Sequence, residues 1–516
     1  MAGTMATGTA AGGPGDPPDP TEIRGGTPHG APGPPPTSPR RPRPETLPRT
    51  HRWRLRLLTS VPARLRLLRG VVIALAAAVA ALLLAIGLTA SGAWDGIGHR
   101  AAPRVTGADG LYFALNDMDA QAANLLLSSG GRGLAPMAPQ HTAAQTEYGT
   151  ARHQVSQDLL TLAAAAQGDA RASQTIVGFD DGFARYQELV GRSLENDLHP
   201  EEKANALADY RTATDLLRQT LLPAALQLGQ ANDGAFEDTY RGARSDISAE
   251  LTALLVLGGL LLAAVLAVQA ALVRDFRRLL SPALAAATVC LVAACALGWS
   301  VLATQSHDLR VARRDAFDSV VALSQARALS YDANADESRY LLDPQRRGTY
   351  EQSFEDISQR LLTLPDAALD TYDGQLSDAL SAYRHDHTDL RFTGYFGDEF
   401  RNITFPGERA AAESAVDAYA RYEADDRTIR ALVREGRMQD AAEFCIGWDT
   451  DESNHHFGEY DVALKKLIAI NDRAYGRAVG SGRGALTGGL VGAGGLLAGA
   501  ATLTVLGLRP RLAEFA

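Results

Sequence analysis

Residues 70–90, 251–273, 279–303 and 485–508 form apolar runs that contain no Asp, Glu, Lys or Arg. Each reaches the ~20 residues an α-helix needs to cross a hydrocarbon layer, and one central charge would cost roughly 3 kcal/mol on insertion. The pattern predicts four transmembrane helices. Four buried helices of a soluble protein would instead need one core that accepts four very long uncharged segments. Between the runs the pattern changes: 147–167 and 201–227 place Leu and Ala at helical spacing among polar residues, and Pro200 with Glu201 and Glu202 marks a helix start. Strand signals are few. The expected fold class is all-α, with four transmembrane helices and two helical-bundle domains whose first and last helices continue into the membrane.

The two bundles read as copies of one unit. Ser-Gln-x-Leu-Leu-Thr-Leu occurs at 156–162 and at 358–364, each time eight residues after a tyrosine, Tyr148 or Tyr350. Asp117-Met118-Asp119-Ala120 echoes Asp332-Ala333-Asn334-Ala335, Ala184-Arg185-Tyr186 echoes Ala420-Arg421-Tyr422, and Asn232-Asp233 echoes Asn471-Asp472. The shared order predicts a duplicated unit of roughly two hundred residues.

Arginines set the expected orientation. Arg52, Arg54, Arg56, Arg64, Arg66 and Arg69 precede the first span, Arg274, Arg277 and Arg278 fill the hairpin 274–278, and Arg509 and Arg511 follow the last span. Both termini and the hairpin are expected in the cytoplasm of a plasma membrane, and repeats 91–250 and 304–484 outside it. The first apolar run is longer than a signal-peptide core and has some seventy residues before it, so it reads as a retained anchor. Residues 1–50 are proline-rich and read as a disordered cytoplasmic tail. Residues 51–69 read as a basic amphipathic segment in which Trp53 and several leucines sit among arginines; it suits anionic lipid or a docked cytoplasmic protein. Residues 509–516 form a short cytoplasmic tail.

The net charge of −10, despite this basic flank, leaves the exported domains acidic and argues against nucleic-acid partners. Cys290 and Cys295 fall in the third span on different faces, and Cys445 stands alone in its domain, so no disulfide framework is expected; an intermolecular bridge through Cys445 is the minor alternative. Glu452, His455, His456 and Glu459 form no metalloprotease motif and read as a solvated acidic surface. Asp332-x-Asn334-x-Asp336 opens like a calcium loop but has Glu337 where the turn needs glycine, which favours a partner-binding polar helix face or internal hydrogen bonds. No phosphate loop, nucleophile elbow or kinase signature occurs, so no catalysis, cofactor or metal is expected.

The second repeat carries an additional segment, 391–409, with Phe392, Tyr395, Phe396, Phe400 and Phe405 among glycines and Pro406. Aromatics at that density on a loop predict a binding surface, the alternative being that they cap the bundle core. A transporter would need a polar pathway, which four uncharged spans do not offer. The glycine spacing of the fourth span instead predicts close helix packing, within the chain or in a homodimer.

The order of these parts, with Arg274-Asp275-Phe276-Arg277-Arg278 between the middle spans, Asn334-Ala335-Asp336-Glu337-Ser338-Arg339 in the second repeat and a glycine-rich last helix, resembles the GlnX family of actinobacterial tetraspan membrane proteins. The resemblance covers about residues 50–516 as architecture. It implies a signalling protein that relays the state of an extracytoplasmic solute-binding lipoprotein, specific for glutamate, aspartate, glutamine or similar amino acids, to a cytoplasmic Ser/Thr kinase of the protein kinase G type. In that reading Phe392, Tyr395, Phe396, Phe400, Phe405, Asp336 and Arg339 contact the external partner. Arg274, Arg277, Arg278, Trp53 and Arg54 contact the cytoplasmic one. The domains also resemble chemoreceptor ligand modules, which leaves a direct small-molecule sensor as the alternative; the chain lacks their cytoplasmic signalling coiled coil.

Overall fold

The computed structural model describes residues 61–130, 133–166, 170–276 and 281–513. Helix α1 (Val61–Asp95) runs through a π-helical turn (Gly96–Ala101) into α2 (Ala102–Ser128). Helices α3 (Ala138–Ala165), α4 (Ala170–Asp197) and α5 (Lys203–Leu216) complete the first bundle, and a second π turn (Leu217–Leu221) joins α5 to α6 (Leu222–Phe276). The second repeat begins the same way, α7 (Pro282–Arg310) passing through a π turn (Val311–Phe317) into α8 (Asp318–Leu342). It continues with α9 (Arg347–Leu361), α10 (Tyr372–His385), α11 (Gly394–Asn402), α12 (Glu408–Arg434), α13 (Met438–Ile446) and α14 (Ser453–Ala513). No strand occurs among the described residues; one isolated bridge pairs Thr363 with Thr393.

Among the described residues, four continuous helical stretches of 66, 75, 61 and 58 residues are long and apolar enough to cross a membrane, which makes this a membrane protein. Across residues 70–90 of α1 the buried positions are Val72, Ala76, Val79, Leu83, Ile86 and Ala90, and along α7 as far as residue 301 they are Leu284, Ala287, Leu291, Ala294, Gly298 and Val301. Their alternating steps of four and three are the heptad spacing of left-handed helix packing. The opposite faces expose Leu84, Leu88, Leu255, Val289 and Leu506, as a lipid-facing surface requires. Glycines on α14 allow close approach: a Cβ at Gly489 would lie 2.1 Å from Val301, and one at Gly482 would lie 2.2 Å from the Trp94 ring. Gly488, Gly494, Gly495 and Gly499 have open space instead, so the packing use of the glycine stripe within this chain falls on one side of it. Just above the span Trp94 donates to Gln305, whose amide donates to the Gly482 carbonyl (2.7 Å), tying α1, α7 and α14 together.

Beyond the spans, α2 and α8 pack side by side and parallel. Gln325 donates to Asp109 (3.4 Å), Tyr331 meets the edge of Phe113 at 4.8 Å, and Ser338 donates to Asn124 (2.6 Å), in the same order along both helices. Ala328 and Leu342 of the second repeat belong to the apolar core of the first. The repeats therefore form one body around a central helix pair. Their echo heptapeptide differs at its end: in α3 it stays helical, whereas α9 stops at Leu361. Pro365 follows the second copy and Ala163 the first, and a residue before proline avoids the α region.

Candidate functional site

Where the two repeats meet, the sequence places charge in a helix face that is otherwise apolar. Asp119 lies on α2 one turn from Leu115 and Ala122, all fully buried. An ionised carboxylate there is tolerated only with partners, and it has four: Tyr186 of α4 donates at 2.7 Å, Thr214 of α5 at 3.3 Å, Tyr210 of α5 at 3.4 Å, and Arg339 of α8 donates from the other repeat. The Arg339 side chain, 0 % exposed as a residue, also donates to Asp332 (2.9 Å) and Asp336 (2.5 Å) on its own helix and to the Tyr210 hydroxyl (3.3 Å). Arg218 leaves the π turn of the first repeat and closes the cluster, donating to Asp332 (3.2 Å), Asp336 (2.8 Å) and Ser353 of α9.

Two guanidiniums thus face three carboxylates. Burial alone would raise Asp332, but Arg218 and Arg339 outweigh it and hold its carboxyl below the usual range. For Asp336 burial wins over the same two arginines and the pKa rises, helped by the neighbouring Asp332 charge. Both oxygens of Asp336 accept from guanidiniums, Arg339 on one side and Arg218 on the other, so the buried charges are paired as well as hydrogen-bonded.

Further pairs extend this seam along the helices. Toward the membrane-distal end Arg211 pairs with Asp343, which it grips through Nε (2.6 Å), and Arg346 pairs with Asp215 at 2.9 and 3.1 Å. Toward the membrane Arg313 of the α7–α8 π turn pairs with Asp233 (2.9 Å) and Glu237 (3.2 Å) of α6 and lies 4.8 Å over Phe236. Between these levels Arg327 stacks 3.7 Å over Phe113 of the other repeat and donates to Asp461 of α14. Every level joins one repeat to the other, and most of the groups sit on helices that enter the membrane. The arrangement holds the helices in one register.

The sequence-predicted contact residues fall elsewhere than expected. Asp336 and Arg339 are internal members of the cluster, so neither is free to touch an external protein; of the two readings of their helix face, internal bonding is the observed one. Phe392, Phe396 and Phe400 are buried in the core of the second repeat against Tyr383, Tyr419 and Tyr460, and Tyr395 and Phe405 pack partly buried on that core. The expected aromatic docking surface is therefore corrected to a core-building insertion. Its cause is local: Phe396 and Phe400 are one turn apart on α11, so one helical face delivers both inward. Nor does the insertion reach the membrane-distal end. Asn402 donates to the carbonyls of Asp315 (3.1 Å) and Arg314 (3.5 Å) and to Ser319 (2.9 Å), binding the insertion to the π turn just above the third span. Glu399 is buried beside Glu408 and receives Asn471; burial pushes its carboxyl up to about 7, the Glu408 charge adding to it.

Cys445 is buried against Ser338, out of reach of another chain. His456 faces Asp425 at 2.8 Å and His455 faces Glu459 at 3.8 Å, and among the described residues no group of three His, Cys, Asp or Glu is placed to hold a metal. Arg274 is exposed near the end of α6, whereas Arg277, Arg278, Trp53, Arg54 and the 1–50 tail lie outside the described residues. Arg211, Arg218, Tyr210 and Asp343 carry no sequence motif. Asp119 and Asp332 were marked by the echo between the two repeats.

No curated protein and no solved structure matches the chain. Residues 93–241, from the end of α1 through the first repeat to α6, match the family model of the actinobacterial sensor domain, and this similarity gives the membrane protein a sensing, signalling role.

Proposed function

We propose that the protein is a non-catalytic relay. An extracytoplasmic solute-binding lipoprotein of the glutamate, aspartate or glutamine type docks on the fused repeats, and a cytoplasmic Ser/Thr kinase of the protein kinase G type reads the other side of the membrane. In this reading both termini and the 274–278 hairpin are cytoplasmic. Arg274, Arg277 and Arg278, with Trp53 and Arg54, present the kinase-facing surface, and the basic segment rests on membrane lipid.

The observation that carries the reading is continuity. The first stretch alone has 66 residues, roughly 100 Å of helix at 1.5 Å per residue, long enough to cover both a bilayer and a bundle. Its π turn, like that of α7–α8, lies where span meets bundle, and such turns concentrate at functional positions in helices. Ion pairs along the seam oblige the two repeats to move together. A docked partner that prefers one register by about 1.4 kcal/mol shifts the populations tenfold.

The test is a crosslinking pull-down of the tagged full-length protein from intact membranes, with and without external glutamate or aspartate. Recovery of an exported binding protein together with a Ser/Thr kinase is the expected result, and Arg277→Ala with Arg278→Ala should reduce kinase recovery alone. The similarity of residues 93–241 to a sensor domain favours one second reading, a direct small-molecule sensor. If neither partner is recovered and the purified protein binds an amino acid by itself, the relay is wrong and the second reading stands.

A further inference from the structure

The loop between α13 and α14 lies at the end of the bundle remote from the spans. It precedes Ser453, and the apolar run of α14 begins near residue 485, about 48 Å further along the helix. Trp448 stands on this loop and is 53 % exposed. The edge of its ring approaches α14 so closely that a Cβ at Gly458 would come within 3.2 Å of it, a contact that a residue without a side chain permits. Gly447 is equally constrained, since a Cβ there would meet the Glu452 carboxylate at 1.9 Å, and that carboxylate accepts from the Asp449 amide (2.8 Å). Val462, 66 % exposed, is one turn beyond Gly458 on the same helical face and extends the apolar surface.

On the loop side of this patch the exposed charges are acidic, whereas beyond Val462 the exposed Lys465, paired with Asp461 (2.8 Å), and Lys466 follow on α14. Asp449 and Asp451 flank the ring in the loop, Glu443 comes from α13 and Glu459 from α14. Arg421 pairs with Glu459 (2.9 Å), but no ion pair among the described residues engages Asp449, Asp451 or Glu443. An exposed aromatic with an apolar neighbour and acidic residues on its loop side has the composition of an interface hot spot, in which a buried anchor supplies affinity and rim charges select the partner.

We infer that the Trp448–Val462 patch is the docking point for the exported binding protein, which presents an apolar pocket rimmed by Lys or Arg to the Trp448 ring. This rests on the relay reading and replaces the aromatic insertion as the external contact.

The experiment places a photoreactive phenylalanine analogue at position 448, and in a separate strain at the exposed Leu160 of α3, in the full-length protein in intact cells, beside the wild-type pull-down. The expected result is a 448 adduct with the same exported protein that the wild-type pull-down recovers. The crosslinked peptide should carry Lys or Arg beside apolar residues, and the Asp449→Asn, Asp451→Asn pair should reduce adduct yield severalfold. Trp448→Ala, whose thermal unfolding should match wild type because the side chain is half exposed, should weaken recovery of that protein roughly tenfold or more. Recovery of the binding protein by wild type with no 448 adduct, with equal adducts at 160, or with unchanged recovery by Trp448→Ala overturns this surface and leaves the relay standing. A 448 adduct with a second copy of this chain overturns it too. Failure of the wild-type pull-down itself refutes the relay, and this inference with it.

Discussion

Replacing Arg339 with methionine keeps side-chain bulk at the centre of the seam and removes its charge. The substitution deletes the contacts to Asp119, Asp332, Asp336 and the Tyr210 hydroxyl, and it leaves Arg218 as the remaining cation for three buried aspartates. Breaking a buried ionic group by removing one partner costs roughly 3–5 kcal/mol, because the desolvated carboxylates stay behind. At about 2–4 °C per kcal/mol for a domain of this size, the apparent Tm should fall by roughly 6–20 °C. Thermal unfolding of the full-length protein in nanodiscs, followed by far-UV circular dichroism, reads this directly. The loss should also depend on pH. Without Arg339 the burial of Asp332 and Asp336 is opposed by Arg218 alone and their folded-state pKa values rise, so protonation relieves the penalty and the deficit shrinks as pH is lowered from about 7.5 toward 5. The Arg339→Met, Asp119→Asn double variant should lose less than the sum of the single ones, since each removes a charge that the other leaves unpaired. A Tm within about 3 °C of wild type at neutral pH, or a deficit that grows on acidification, would show that the cluster does not hold the repeats together.

Two other expectations concern the bundle. Asp109, Asp117, Glu399 and Glu423 are carboxyls that burial pushes up to about 7. Their folded pKa values exceed the unfolded ones, so the stability they contribute is present in full below the unfolded pKa and is lost as pH rises through about 7. The wild-type Tm should therefore decline between about pH 5 and pH 7, less steeply in Glu423→Gln; a flat or rising curve there would contradict the assignment. Phe396→Ala should cost roughly 3–5 kcal/mol of stability, as core aromatics do, and Tm measured on the same preparation separates this from a surface role, for which Tm would not move.

Much of the architecture was legible along the chain because it depends on local composition. A run without charges has to be helical and buried in lipid or protein, so the spans and helical class follow from residues 70–90 and their counterparts. The duplication was legible too, as repeated short motifs. The aromatic insertion was misjudged for a physical reason: Phe392, Phe396 and Phe400 look like a surface loop until α11 forms and turns them to one side. Asp336 and Arg339 were singled out as polar residues of interest, yet their partners Asp119 and Arg218 come from the other repeat, more than a hundred residues away.

The amino-acid sequence by itself determined that this is a helical membrane protein with two related halves, because hydropathy and helical periodicity act over a few turns and need no distant partner. Tertiary structure alone decided that the halves fuse through α2 and α8, that two arginines pair with three buried aspartates there, and that the insertion fastens to the π turn above the third span. Those outcomes hang on desolvation and on distances between segments remote in the chain. The repeated heptapeptide marks the boundary between the two: Pro365 ends its helix by a local rule, while Ser358 of that copy donates to Glu423 at 2.8 Å and Ser156 of the other stays exposed, a difference that only packing creates.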